Sequence, residues 1–321
     1  MSIEKVTTTT EQTATGIAHS KLILIGEHAV VHGQPAIAIP FPLVGVESTI
    51  EEIKGPIMFD STFYQGPMNS APITLEGIIN SIEATIEHLQ LPKNNLLIRV
   101  TSSIPPGKGL GSSASVAIAV IRSLFAYANV SYTEEELLHF ANIAETFAHG
   151  QPSGIDTLTI TSESPVWFEK DQSIQYIKPG SDFHFIVADS GRIGDTRSAV
   201  ESVAHLLRKA PEKIQRKINR IGDLTHHAKH ALEKAGKNFL GQILNEAQKE
   251  LEALGVSDAG LNKLIDLARE EGALGAKLTG GGNGGCIIAL AENEVHSRQL
   301  AEKLKKFGAH AVWPFVLRKQ N

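Results

Sequence analysis

Between Leu75 and Leu89 the apolar residues Ile78, Ile79, Ile82, Ile86 and Leu89 recur at three- and four-residue intervals. That rhythm predicts an amphipathic helix ended before Pro92. Thr133 to Ala148 predicts a second helix. Thr133 suits an N-cap, Glu136 follows as its capping-box partner, and Leu137, Ala141, Ala144 and Ala148 mark a packed face. The short apolar runs Leu96 to Val100 and Phe183 to Asp189 predict buried strands, whereas Val116 to Phe125 has helical length. From Thr15 to Ile39 short apolar runs alternate with glycine and histidine, which predicts hairpin strands joined at Gly26-Glu27-His28 and at His32-Gly33-Gln34-Pro35. After the loop Ser190 to Asp195, helices are expected at Ala199–Arg208, Glu212–Glu233, Phe239–Leu254 and Asp258–Glu271, then a strand, a helix and a strand to Val316. The boundary of a helix-rich second domain is placed near this loop, giving domains 1–190 and 191–321.

The length of 321 residues fits two domains or one large α+β unit, and 42% hydrophobic residues suffice for a real core. A formal charge of -5 without a basic stripe argues against nucleic acid and anionic membrane as partners. No stretch is apolar enough to span a bilayer. The single Cys286 cannot form an internal disulfide, and the amino-terminal residues carry no apolar signal segment, so a cytoplasmic location is expected. The scattered histidines form no H-E-x-x-H or Cys/His cluster, which argues against structural zinc.

The most informative segment is Pro105-Pro106-Gly107-Lys108-Gly109-Leu110-Gly111-Ser112-Ser113-Ala114-Ser115, which leads from a strand pattern into a helix pattern. At a helix N-terminus the backbone N–H groups lack partners and the macrodipole favours negative charge, so glycines there can admit a polyphosphate. The spacing is neither G-x-x-x-x-G-K-[ST] nor G-x-G-x-x-G, so the loop alone reads equally as a phosphate cradle or a plain strand-to-helix turn.

Four further places bear chemistry. Lys21, before the apolar Leu22 to Ile25, is either a solvated edge lysine or a functional ammonium, and His28 is either structural or functional. Glu145, with His149 one turn on, falls near the edge of an alanine face, where a carboxylate suits either solvent or a hard cation such as Mg²⁺. Asp156 ends the turn Gly150-Gln151-Pro152-Ser153-Gly154-Ile155 before the strand-like Leu158 to Ile160, so its carboxylate is not needed as a cap and could project into a cleft. The late cluster Thr279-Gly280-Gly281-Gly282-Asn283-Gly284-Gly285 is either a flexible hairpin or a backbone wall against phosphate, with Cys286 a small buried hydrophobe beside it.

Taken together, GEHAVVHG after Lys21, PPGKGLGSSAS, ETFAHGQPSGID and KLTGGGNGGC resemble the GHMP kinase superfamily and, within it, the mevalonate kinase family. The resemblance spans nearly the whole chain. It implies an α+β fold with an amino-terminal sheet-plus-helices domain, a ferredoxin-like carboxy-terminal domain and an active site in the cleft between them. It implies that Pro106, Gly107, Lys108, Gly109, Leu110, Gly111, Ser112, Ser113, Ala114 and Ser115 wrap the phosphates of ATP, and that Ser113 and Glu145 hold Mg²⁺. Asp156 would take the proton of the mevalonate primary hydroxyl with Lys21 beside it to keep it ionised. Glu27, His28 and Thr196 would line the substrate pocket, and the family leaves room for a homodimer. The sequence departs from the family pattern at Ala18-His19-Ser20, where Ala-Pro-Gly is usual, and at Asn283, where many relatives have glycine. The rival readings are another GHMP enzyme, such as phosphomevalonate kinase or diphosphomevalonate decarboxylase, and a catalytically silent nucleotide sensor that would have lost its lysine, metal carboxylate or base.

Overall fold

The computed structural model describes residues 13–149, 154–170 and 172–320. Residues 1–12 lie outside the described residues, as do Gly150 to Ser153 of the expected glycine-proline turn and the side chains of Ala148 and His149. In chain order the elements begin with β1 (Ala14–Ile25), β2 (Ala36–Glu52), β3 (Met58–Ser61), β4 (Tyr64–Pro67), α1 (Glu76–His88), β5 (Leu96–Ser102), α2 (Ser112–Tyr127) and α3 (Glu134–His149). They continue with α4 (Ile155–Thr161), β6 (Val166–Phe168), β7 (Gln175–Tyr176), β8 (Phe183–Asp189), α5 (Thr196–Lys209), α6 (Pro211–Glu233), α7 (Lys237–Ala253) and α8 (Ala259–Glu270). The last are β9 (Gly275–Thr279), β10 (Cys286–Ala291), α9 (Glu294–Phe307) and β11 (Ala311–Leu317).

The chain divides into two compact units, each assembled from separated segments: 1–18, 45–103 and 113–150 in one, and 19–44, 104–112 and 151–321 in the other. The expected boundary at residue 190 therefore falls inside the second unit. The reason lies in β8, which ends at Asp189 and pairs along its length with β10 and β11.

In the first unit, the carboxy-terminal part of β2 pairs antiparallel with β5, β3 runs parallel to β5, and β3 and β4 form a hairpin. Arg99 on β5 binds Glu51 at 2.8 Å and Asp60 at 3.2 Å, an opposite-charge ladder on the solvated face. Helix α3 opens as its sequence predicts: Glu136 N–H donates to Thr133 Oγ1 at 3.1 Å, and Thr133 N–H returns to the Glu136 carboxylate at 2.8 Å. It packs on α1, where Ser81 Oγ donates to Phe140 O. A Cβ on Gly77 would lie 2.7 Å from Ala144 O, so only glycine permits that approach.

The second unit contains a four-stranded antiparallel sheet in the order β11-β8-β10-β9. With α5 to α8 between β8 and β9, and α9 between β10 and β11, this is the βαββαβ ferredoxin-like arrangement. Alternation along β8 sorts its side chains: Ile186 and Ala188 pack in a core with Ala199, Val203, Ile218 and Ile265, while Phe185 stacks on Phe315, whose ring meets Phe41. Elsewhere in this unit the start of β2 pairs with β6, and β6 with β7. The single turn Ala29–His32 replaces the two expected tight hairpin turns between β1 and β2. Among the described residues no helix is long and apolar enough to cross a membrane.

Candidate active site

Lys21 lies where β1 has become wholly buried, and its side chain is only 6% exposed. An ammonium so placed requires a counter-charge, and Asp156 Oδ1 supplies it at 2.8 Å. Asp156 sits in the first turn of α4, which corrects the expected strand at Leu158 to Ile160. The β-branched threonines fit a helix here because Thr159 Oγ1 donates back to Ile155 O at 2.6 Å. Gly154, at φ 79°, starts that helix without a side-chain cap, so the Asp156 carboxylate serves Lys21 instead.

The glycine-rich loop reaches the same lysine. Gly107, Gly109 and Gly111 all have φ between 67° and 74°, and a Cβ on Gly111 would lie 3.0 Å from the Lys21 Cε and Cγ atoms. Left-handed positions alternating with ordinary ones turn successive N–H groups toward an anion. Helix α2 begins at Ser112, earlier than the expected Val116, so Ser112 and Ser113 lie in its first turn, at the positively polarised end. Leu110, Ala114 and Ser115 are buried. The unusual Ser20 has a physical role: its hydroxyl donates to Leu110 O at 2.6 Å, tying β1 to the loop where a glycine could not.

Lys108 is turned to a different task. Its ammonium binds Asp189 Oδ1 and Arg192 O, each at 2.8 Å, with Lys108 6% and Asp189 0% exposed. The Lys108 ammonium thus anchors the loop to the end of β8. Gly194 N–H donates to Gly107 O and Gly285 N–H to Arg192 O, both at 2.8 Å, so the loop is also laced to its neighbours by backbone. The late glycine cluster is one of those neighbours: a Cβ on Gly109 would lie 3.1 Å from Gly280 Cα. Asn283 keeps the left-handed turn at φ 51°, a conformation asparagine tolerates better than other side chains, so the departure from glycine is accommodated.

Among the expected substrate residues, His28 stands at φ 60° and donates from Nε2 to Gly281 O at 2.9 Å. A carbonyl only accepts, so a neutral ring presents Nδ1 as an acceptor, and Nδ1 is buried without a hydrogen-bond partner. Burial pushes the imidazole down to about 4, with His32 and Lys277 adding to the effect. Between pH 6.5 and about 4 the unfolded chain therefore binds a proton that the folded one refuses, so stability is present above 6.5 and lost as pH falls. The full loss is about 3 kcal/mol. His28→Asn, which tolerates the positive φ, is expected to flatten this dependence in urea unfolding between pH 7 and 4; an unchanged slope would show that another group sets it. Thr196, the exposed first residue of α5, meets the same carbonyl-bearing residue, since a Cβ on Gly281 would lie 2.4 Å from Thr196 Oγ1. Glu27 is paired with Lys277 instead of facing open space, and both side chains are almost wholly buried.

Lys21, Glu27, His28, Gly107 to Ser112, Asp156 and Thr196 all belong to the second unit, whereas Ser113 to Ser115 and Glu145 belong to the first. Glu145 is 5% exposed, in keeping with its place at the edge of the alanine face of α3. Among the described residues no group of three or more His, Cys, Asp or Glu could hold a metal ion. Cys286 is buried and its thiol is pushed up by burial, so it is the inert small hydrophobe expected.

Sequence reasoning missed Lys277 and Asp189. The signal was available, because each is a charge within or ending an apolar strand run, and a charge in a buried strand requires an opposite one nearby.

Residues 76–163 match the GHMP kinases N terminal domain and residues 228–310 the GHMP kinases C terminal domain. A mevalonate kinase of Pyrococcus abyssi is 31% identical over 312 residues, covering 91% of this chain and 92% of that protein. The crystal structure of mevalonate kinase from Staphylococcus aureus MRSA252 is 31% identical, with a TM-score of 0.72 over 97% of this chain and 100% of that one. The L. major mevalonate kinase, solved in complex with R-mevalonate, shares the fold at 24% identity, with a TM-score of 0.83 and 98% of each chain covered. Joined to the order of the glycine-rich loop, the Lys21–Asp156 pair and the ferredoxin-like sheet, these likenesses show that the chain belongs to the mevalonate kinase family of the GHMP kinases.

Proposed function

We propose that the chain transfers the γ-phosphoryl group of ATP to the primary hydroxyl of mevalonate, giving 5-phosphomevalonate and ADP, in the cytoplasm. The observation that carries this reading is the Lys21–Asp156 ion pair held against Gly111 of the glycine-rich loop. Phosphoryl transfer needs positioning and charge stabilisation more than covalent chemistry, so an ammonium, a carboxylate base and helix-terminal N–H groups are the parts required. Asp156 accepts the hydroxyl proton while Lys21 stabilises charge on the transferring group. The buried Nδ1 of His28 is an acceptor that a substrate hydroxyl would satisfy, with Thr196 close to the same Gly281.

The hydroxyl of Ser113 and the nearly buried carboxylate of Glu145 are hard oxygen donors of the kind Mg²⁺ takes, and Mg²⁺ commonly binds through one or two carboxylates plus substrate phosphates. These two residues would hold the ion, which neutralises phosphate charge when bound. The test is ATP consumption with mevalonate, phosphomevalonate, galactose and homoserine, each with and without Mg²⁺. Turnover confined to mevalonate and dependent on Mg²⁺ is expected; preference for another acceptor would overturn the substrate assignment.

A further inference from the structure

His19 and Ser20 stand where Pro-Gly is usual, and each side chain makes a bond that proline and glycine cannot make. Ser20 holds the glycine-rich loop, and His19 reaches α4. The His19 ring lies with Nε2 3.2 Å from Ser162 O, 143 residues on, and with Nδ1 2.8 Å from Ser20 O. Carbonyls only accept, so a ring that holds both carries a proton on each nitrogen, and a neutral ring holds one. Ser162 is the C-cap of α4, at the end of a helix where unpaired carbonyls favour a donor. It is itself fixed by a tight turn, in which Ser162 Oγ donates to Ser164 O at 2.9 Å and accepts from Ser164 N–H at 3.0 Å.

With seven residues and no side-chain cap at Gly154, α4 is too short to be stable alone, so its place is set by what it touches. Ile155 and Ile160 bury apolar surface, but that attraction is non-directional and does not fix the axis of the helix. The polar contacts at its two ends do. His19 and Lys21 are two residues apart on β1 and share one of its faces, about 7 Å from each other, while Asp156 and Ser162 are about 9 Å apart along α4. The helix therefore lies along β1 with its first turn on Lys21 and its C-cap on His19.

We propose that His19 is a positioning residue: by holding the carboxy-terminal end of α4 it fixes the axis of that helix, and with it the place of the Asp156 carboxylate beside Lys21. Lys21 alone would not serve, because its pairing with Asp156 stops being ionic whenever Asp156 takes the substrate proton. The bond from His19 to Ser162 is made at the other end of the helix and does not depend on that charge. His19 has no need to touch ATP or the acceptor.

The inference rests on the kinase reading above. A parent protein that phosphorylates nothing in the acceptor panel fails that reading, whereas an active parent with an unimpaired variant fails only this one. His19→Ala is expected to lower kcat per folded site at least about tenfold and to keep KM for ATP within about threefold, since a misplaced catalytic group costs rate more than nucleotide affinity. Two amides then separate the two ring nitrogens. Glutamine carries its N–H donors about as far out as Nε2, so His19→Gln should keep kcat within about threefold of the parent. Asparagine reaches only as far as Nδ1, so His19→Asn should behave like the alanine variant. A merely local role on β1 would not distinguish the amides, and equal rates for the two, or parental kcat in His19→Ala, would overturn the proposal. Nuclear magnetic resonance of the ¹⁵N,¹³C-labelled parent, with His19 assigned through its backbone, tests the same contact without any variant. Nε2 is expected to carry a proton at the pH of the assay, and a bare Nε2 would equally overturn the assignment.

Discussion

Asp156→Ala is expected to lower kcat by about 10² to 10⁴, the range for loss of a positioned general base, while KM for ATP stays within about threefold. The split follows from where the residue sits. Asp156 lies on α4 and binds Lys21, whereas the glycine-rich loop that would carry the phosphates is held by Ser20, by Lys108 and by backbone bonds, none of which passes through Asp156. Asp156→Asn sharpens the experiment, since the amide keeps the shape but cannot take the proton. Its kcat should fall nearly as far. Steady-state kinetics at saturating mevalonate read both values, and turnover near the parental rate in either variant would remove Asp156 from the chemistry.

Lys108→Ala is expected to destabilise the fold by about 3 to 5 kcal/mol, because it leaves the Asp189 carboxylate at 0% exposure with no cation. That is a large share of a total stability of about 5 to 15 kcal/mol. Oδ1 of Asp189 also accepts from Gly191 N–H at 2.8 Å, a bond that asparagine can keep. Lys108→Met/Asp189→Asn should therefore recover more than half of the loss, which denaturant midpoints of the single and double variants will measure. A loss below about 1 kcal/mol in Lys108→Ala would mean that the pair does not hold the loop.

What could be read from the residues in order, and what could not, divides along local and non-local physics. Helix α3 was legible to its first residue because the Thr133–Glu136 capping box is a four-residue event, and β8 was legible because Phe185 to Ala188 form a short apolar run. The run at Leu158 to Ile160 misled because threonine and isoleucine favour strands, whereas here each threonine hydroxyl bonds a carbonyl one turn back, a preference set by tertiary context. Lys21 and Asp156 could be named separately, but their meeting at 2.8 Å joins positions 135 residues apart, and no local rule reaches that far. Lys108 was placed among the residues around the phosphates by the resemblance; its ion pair with Asp189, which closes a different strand, could not be read from the loop alone. Lys277 was hidden in the same way, its partner Glu27 lying 250 residues upstream.

The strand order β11-β8-β10-β9 also shapes how the protein comes into being. During synthesis β8 emerges with both of its flanking positions vacant, and the strands that fill them, β10 and β11, are made only after α5 to α8. Those helices can form early from local contacts, but the closure of the sheet waits for β11. For that interval the edges of β8 are open to pairing with other nascent chains, so chaperone shielding between the emergence of β8 and that of β11 should raise the yield of folded protein.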